Sequence, residues 1–386
     1  MSSTALAMLC RDYFAGRMAA DPFAATVYGI PGYDAEVPDP SRQADSMRRA
    51  ELDAAATQLA AIARDPLPAA DKVTLDVLRR AITDELGQLA HPLREVSVSA
   101  TIAGDLSEVL AVVPSVTLTN ARRAEDYLRR LGGLGGYFDA TLERHRQAAA
   151  DGRWPTARGV SAAVAQLDGL LATDIDADPF LRPELPSDVD GPEWRRRAAE
   201  LLREVVRPAL SRTRAALAEE FASVGRDDTR VGVCHLPGGA EGYAAAVAAH
   251  TTTSLSAEEI HQLGLDMVTT LRAEFAELGA RALGTSDVDE VIARLRDDPA
   301  LRFVDSVEIV DTVTEALHRA TNALPGWFRV DDLARVAPCE VREMDVLEAE
   351  GGVLGYYLPP AADGSRAGLH AINTLHPGLR PRFEYE

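Results

Sequence analysis

Residues 256–278 read SAEEIHQLGLDMVTTLRAEFAEL, and this stretch carries the clearest helix signal in the chain. The Ser256 hydroxyl can accept a hydrogen bond from the backbone N–H of Glu259, whose carboxylate can reach back to Ser256, which makes a capping box. Apolar residues then recur at spacings of three and four. They are Ile260, Leu263, Met267, Leu271, Phe275 and Leu278. The stretch therefore predicts a long amphipathic helix that begins directly after Ser256.

Helical periodicity extends through most of the remaining sequence. Further helices are predicted over residues 42–64, 71–89, 120–134 and 306–324. Pro192 opens another helical run, because proline is favoured in the first turn of a helix. Pro208 should kink or split that run, since it lacks a backbone N–H and its ring crowds the preceding turn.

Strand patterns are sparse and occur late, at residues 336–344, 353–358 and 368–374. Asp363-Gly364 is a turn signal between the last two runs. We therefore predict a mainly α fold, a multi-helix array with a small antiparallel β-element near the C-terminus. The predicted domains are an N-terminal helical region, 1–230, and a helical plus β region, 231–386.

The composition narrows the classes of partner. The 386 residues carry a formal net charge of −20, with 46% hydrophobic and 26% charged residues. An acidic protein repels phosphate backbones and anionic lipid surfaces, so we expect neither nucleic acid nor membrane partners. The first residues show no signal peptide, and the three widely separated cysteines include no CxxC. These features predict a reduced, cytoplasmic setting.

Two histidine-containing segments could carry chemistry. His235, Glu241, Tyr243 and His250 lie close together in sequence and could form a metal or catalytic cluster, or they could belong to a turn that leads into a helix. Their spacing matches no metal-ligand signature. Cys234 beside His235 invites a thiol-nucleophile reading, with a buried thiol as the alternative.

Near the C-terminus, His370 and His376 could ligate a metal together with a third residue, Glu384 or Glu386. The chain contains no HExxH, P-loop, GxSxG or strand-associated GxGxxG motif. A zinc site needs three or four ligands in fixed geometry. We therefore assign no catalytic residue and no metal ligand to this sequence.

Asp363, Ser365, Arg366 and Asn373 form the remaining polar cluster. The Arg366 guanidinium could fork onto a substrate carboxylate. In the alternative, Asp363 caps a hairpin turn and pairs with Arg366. The residues alone leave both interpretations open.

The chain resembles a known family, the bacterial proteins grouped as domain of unknown function 885. These proteins are related to gluzincin zinc metallopeptidases. The resemblance runs nearly end to end and rests on short blocks in a fixed order. These blocks are Asp21-Pro22 with Ala25-Thr26 and Gly29, Tyr33-Asp34 with Pro38-Asp39, residues 236–243, 250–253 and 258–264, Tyr356-Tyr-Leu-Pro359, Asp363-Gly-Ser-Arg366 and Asn373-Thr374.

The resemblance implies the front portion of a zinc-peptidase-like fold. In that family an H-E-x-x-P-G-H-H stretch follows almost at once, whereas this sequence stops at Glu386, so we expect a truncated and inactive enzyme. Zinc is expected in a full-length relative, where it would activate water for attack on a peptide carbonyl, and no cofactor is expected here. The resemblance implies a substrate-binding role, with a peptide-like substrate, for Tyr356, Tyr357, Asp363, Ser365, Arg366 and Asn373.

The rival hypothesis is a non-catalytic helical binding or scaffold protein. Under the truncated-enzyme hypothesis, residues 351–386 predict an apolar surface with an unpaired strand edge, because Phe383 and Tyr385 need something to pack on. Such a surface favours self-association through the C-terminal region.

Overall fold

The architecture comes from a computed structural model, which divides into two compact units, Met1–Leu255 and Ser256–Glu386. The residues that the structure describes are 2–101, 104–329, 333, 336, 338–344, 349, 353–364 and 366–385. The boundary predicted at 230/231 falls inside the first unit, because the helix over Gly239–Thr251 packs against an earlier helix of that unit.

The first unit is helical. Its helices are α1 (Ser2–Ala20), α2 (Pro22–Val27), α3 (Arg42–Ala60), α4 (Ala69–Ala90), α5 (Asp105–Val112), α6 (Ala121–Ala150), α7 (Ala157–Ala172), α8 (Gly191–Leu201), α9 (Arg207–Ala216) and α10 (Gly239–Thr251). The helices predicted over 71–89 and 120–134 are confirmed, and the one predicted over 42–64 ends at Ala60. Asn120 caps α6 by accepting a hydrogen bond from the Arg123 N–H at 3.0 Å.

Two apolar clusters hold this unit together. The larger is built around α6, which contacts α8 and α9, and its fully buried members include Leu131 and Leu134. The smaller lies between α1, α3 and α4, where Leu75 and Ile82 come from the helix predicted over 71–89. Burial of such side chains contributes about 1.5–3 kcal/mol each, so the periodicity and not intrinsic propensity fixes these helices.

Pro208 splits its helical run, as predicted. Helix α8 ends at Leu201, residues 202–206 form a π-helical turn, and α9 begins at Arg207. Pro208 offers no N–H to the carbonyl four residues before it, and its ring would clash with that carbonyl. The wider π-helical turn is one way in which a helix accommodates such an interruption.

The second unit contains α11 (Ala257–Ala282), α12 (Val288–Asp297) and α13 (Ser306–Ala323). The capping box is confirmed, because the Glu259 N–H donates to Ser256 Oγ at 3.2 Å and the Ser256 N–H donates to Glu259 Oε2 at 2.8 Å. The apolar face of α11 is not buried, however. Side chains expected in a core, such as Met267 at 55% exposed and Leu271 at 47%, lie at the surface.

The late strands are β1 (Cys339–Glu343), β2 (Gly355–Leu358) and β3 (Gly368–Ile372), in the order β1-β3-β2. The β2–β3 pair is antiparallel, as predicted, but β1 pairs with β3 in parallel. The predicted all-antiparallel element is therefore wrong, and the sheet is mixed. The most apolar strand, β3, takes the centre, where it is buried on both faces.

The mainly helical fold class is confirmed for the described residues, with the small sheet near the C-terminus. None of the helices in those residues combines the length and the apolar character that a bilayer crossing needs.

Candidate functional site

The predicted substrate residues lie on or next to the β2–β3 hairpin. Its loop turns at Gly364, which has a left-handed φ of 74° that suits glycine. The Gly364 N–H donates to the Ala361 carbonyl at 3.0 Å, and the Ala361 N–H donates to the Arg366 carbonyl at 2.9 Å. Ser365 lies outside the described residues.

The two tyrosines point to opposite faces of the sheet, because successive strand residues alternate. Tyr356 packs beside Met344 and Ala371 on one face. Tyr357 is opposite His370 in register and is 58% exposed. A single ligand on one face of the sheet would therefore meet only one of these rings, and Tyr357 is the accessible one.

Arg366 lies in a polar group that also contains Arg342, Asp363 and Tyr357. Burial and the nearby Arg342 charge lower the pKa of the Arg366 guanidinium, while the Asp363 carboxylate and the Tyr357 phenol act in the opposite direction. The group thus brings together three of the predicted residues, and it adds Arg342 from β1, which the sequence pattern did not indicate. Two guanidiniums close together favour an anionic group between them.

Asn373 has a structural role. It is fully buried, and its Nδ2 donates to the carbonyls of Ala349 at 2.8 Å and Val353 at 2.9 Å. Its Oδ1 accepts from the Leu375 N–H at 3.0 Å, and its own carbonyl accepts from the Tyr385 hydroxyl at 2.5 Å. Both polar atoms of the Asn373 side-chain amide are hydrogen-bonded to the backbone of this chain. The geometry therefore gives no support to the predicted substrate contact.

The candidate metal ligands do not converge. Among the residues that the structure describes, no three His, Cys, Asp or Glu side chains form a group that could hold a metal ion. His370 lies on β3 beside Gly355, and His376 has a left-handed φ of 57° in the following turn. The described residues therefore do not fit zinc.

Residues 235–250, which could form a metal or catalytic cluster or a turn that leads into a helix, form the turn and the helix α10. Gly238, with a φ of 67°, precedes α10, and a Cβ at Gly239 would lie 1.7 Å from a neighbouring carbonyl oxygen. Tyr243 is 50% exposed and His250 is exposed, so neither packs into a core. Cys234 is an exposed free thiol, so the expectation that it is buried is wrong.

One family model, described as "Bacterial protein of unknown function (DUF885)", matches residues 22–386. The chain belongs to the DUF885 family. No curated protein matches the sequence.

Two solved structures, each described as a "putative lipoprotein", share the fold. The one from Colwellia psychrerythraea has a TM-score of 0.86 at 21% identity and covers 99% of this chain and 69% of that chain. The one from Shewanella oneidensis, described as of unknown function, has a TM-score of 0.61 at 15% identity and covers 96% and 65%. At these identities the likeness shows the fold alone.

The opening DUF885 block builds a turn in the first unit. Asp21 caps α2 by accepting from the Ala24 N–H at 3.0 Å. Arg130, fully buried on α6, donates to the carbonyls of Tyr33 at 2.7 Å and Glu36 at 2.9 Å. Burial lowers the pKa of Arg130 to about 10. These contacts give the block a structural role.

A buried carboxylate that the sequence did not reveal lies in the same unit of this DUF885 protein. Glu95 is 2% exposed and accepts from three guanidiniums. Arg42 donates through Nε at 3.0 Å and Nη2 at 3.2 Å, Arg144 through Nε at 2.5 Å, and Arg153 through Nη1 at 2.6 Å. The arginines come from α3, α6 and the residues after α6, so the carboxylate ties distant segments together.

His145 lies beside this carboxylate and is 4% exposed. Its Nδ1 is 2.8 Å from the Glu95 carbonyl oxygen, and its Nε2 is 2.9 Å from Asp105 Oδ2. Both neighbours are acceptors, so the contacts favour a doubly protonated ring. Burial by itself lowers the pKa of His145, but hydrogen bonding and charge from Asp105, with the Glu95 carbonyl, outweigh it and raise the pKa above its ordinary value.

Proposed function

We propose that this chain contributes the substrate-binding side of a peptidase-like hydrolase, in which strand β2 pairs with an extended peptide. The observation that carries the proposal is the edge position of β2 beside the Arg366 group. Zinc would activate water in the enzymes that the family resemblance implies, whereas the residues described here supply only peptide binding.

The backbone register says which groups the peptide would meet. The Asn373 N–H donates to the Leu354 carbonyl at 2.9 Å, and the pairing register then alternates along β2. In an antiparallel ladder, this alternation directs the N–H and C=O groups of Tyr356 toward β3 and those of Gly355 and Tyr357 toward the outer edge. Within the described residues, β2 pairs with no second strand. This edge therefore fits a peptide by strand addition.

The side chains near the edge give the proposal its chemistry. Tyr357 is exposed and can cover a peptide side chain, while Arg366 and Arg342 lie near it. Guanidiniums bind carboxylates in a two-point fork. We therefore expect peptides with a free C-terminus or an acidic residue to bind better than neutral, amidated ones.

Fluorescence anisotropy with the full chain tests this proposal. The probes are pools of fluorescein-labelled hexapeptides with free or amidated C-termini. We expect Tyr357→Pro to abolish binding, because proline removes the edge N–H but is tolerated on edge strands. Tyr357→Phe is the matched control, since it keeps the backbone N–H. Arg366→Ala should weaken binding about 10- to 100-fold, as expected for a charge-assisted hydrogen bond.

The proposal is wrong if no pool gives saturable binding, or if Tyr357→Pro binds as well as Tyr357→Phe. Loss of binding with an unchanged melting temperature supports it. If Arg366→Ala lowers the melting temperature but leaves binding unchanged, Arg366 is a structural residue of the loop.

A non-catalytic binding or scaffold role is the second candidate, and the exposed face of α11 favours it. Leu263, Met267, Leu271, Phe275 and Leu278 share this face and are 37–55% exposed. A row of apolar side chains along one helix face is the pattern of a helix-packing surface. Under this candidate the chain self-associates through α11.

Sedimentation equilibrium tests the second candidate. Leu271→Glu should shift the chain toward monomer, while Thr269→Glu, on the opposite side of α11, should not. Equal oligomeric state in the wild type and both variants would exclude self-association through this face.

A cytoplasmic location remains part of the proposal. Cell fractionation of a tagged full-length protein tests it, since the two solved relatives are described as lipoproteins. Recovery in the membrane fraction would overturn it.

A further inference from the structure

A cleft of about 580 Å³ lies in the first unit, beside α8. It is formed between the loop before α8 and the α8 face that continues into the π-helical turn. Its charged lining residues are Asp176, Asp178, Arg182, Arg195, Arg196 and Arg203. A volume of this size is typical of a small-molecule site.

The charges in the cleft are unevenly satisfied. Asp178 is buried and receives both Nε and Nη2 of Arg207, at 3.1 and 2.9 Å, so its charge is compensated from behind the cleft. The Arg196 guanidinium donates hydrogen bonds to Glu193 and Glu200 on the same helix. Arg195 and Arg203 have no ion pair within the described part of the chain. Asp176, also without an ion pair there, offsets only one of these two charges.

Helix geometry places the two unpaired arginines on one side of the cleft. Arg195, Ala199 and Arg203 follow at intervals of four residues, so they lie along one helical face. Ala199, which lies between the two arginines in sequence, is small and buried and lines the bottom of the cleft. Pro192, in the first turn of α8, also lines the cleft.

The geometry points to a binding site for a small molecule with two or more negative charges, phosphate or carboxylate, held by Arg195 and Arg203. The chain as a whole has a net charge of −20, so its overall field repels such an anion. Saturable binding therefore needs a local concentration of positive charge, and this cleft supplies one. Guanidiniums suit both phosphate and carboxylate because each can be held by two parallel N–H bonds.

Isothermal titration of the full chain with inorganic pyrophosphate and, separately, with citrate tests the site. Measurements at about 50 and 150 mM NaCl control for screening. We expect saturable binding of at least one probe, and the tighter probe identifies the charged group. Arg195→Gln and Arg203→Gln should each weaken binding by about tenfold or more, as expected for one lost charge-assisted contact.

Arg11→Gln is the matched control, because Arg11 is exposed, lies on α1 outside the cleft and changes the net charge equally. It should leave binding unchanged. The conservative Arg195→Lys variant should also weaken binding, since lysine keeps the charge but cannot fork. Absence of saturable binding by the wild type overturns the proposal. Equal weakening by Arg11→Gln overturns it too, because the effect would then be one of net charge.

Discussion

The three-arginine environment of Glu95 gives the sharpest test of how the first unit is held together. Each carboxylate oxygen accepts two N–H groups, Oε1 from Arg42 and Arg144, and Oε2 from Arg42 and Arg153. In Glu95→Gln, one oxygen becomes an NH₂ group, whichever way the amide is turned. Two guanidinium N–H groups then face a donor instead of an acceptor.

The expected cost follows from these contacts. Each lost charge-assisted hydrogen bond is worth about 1.5–3 kcal/mol, and removal of one partner from a buried ion pair costs about 3–5 kcal/mol. We expect Glu95→Gln to lower the free energy of unfolding by roughly 3–5 kcal/mol. Glu220→Gln is the control, because Glu220 and its partner Arg146 are both about half-exposed, and this variant should cost less than about 1 kcal/mol.

Urea unfolding in a Trp327→Phe background provides the measurement. The remaining tryptophans, Trp154 and Trp194, both lie in the first unit, so their fluorescence reports on that unit alone. Raising NaCl to about 0.5 M should reduce the effect of the exposed control but not that of Glu95→Gln, since buried pairs are poorly screened. The reasoning is refuted if the two variants lower stability equally.

Three further predictions follow from other buried contacts. The wild type should be more stable than His145→Gln, and this difference should be complete below about pH 6.5. It should shrink as pH rises through the higher folded-state pKa of His145, because deprotonation leaves one ring nitrogen unable to donate. Urea unfolding across pH tests this, and a constant difference would exclude a charged ring. Asn373→Ala should cost on the order of 3 kcal/mol, since two carbonyls lose their donor, and urea unfolding followed by far-ultraviolet circular dichroism would show it. Gly239→Ala should destabilise the first unit, because its Cβ would collide with the Val233 carbonyl oxygen. Gly264→Ala has open space around its Cβ position and should stabilise α11 by about 0.5–1 kcal/mol. Melting curves that rank the two variants the other way would contradict the steric argument.

Local signals in the sequence determined the helices and the hairpin. The capping box at Ser256, the split at Pro208 and the turn at Asp363-Gly364 each depend on residues within one or two turns of each other, so they are readable without tertiary contacts. The ordered short blocks also pointed correctly to DUF885. The peptidase link that came with that resemblance stays a prediction.

Only the tertiary structure decided which residues meet. Strand β1 could join the sheet in either direction, because its sequence specifies extended backbone but not its partner, and packing placed it parallel to β3. The sequence predicted a ligand contact for Asn373, because no local pattern shows that its amide donates to carbonyls around 20 residues earlier. Glu95 and its arginines are separated by 49 to 58 residues, so no periodic pattern marks them. Long-range pairing of polar groups depends on how the helices pack, and the sequence specifies that only through the fold as a whole.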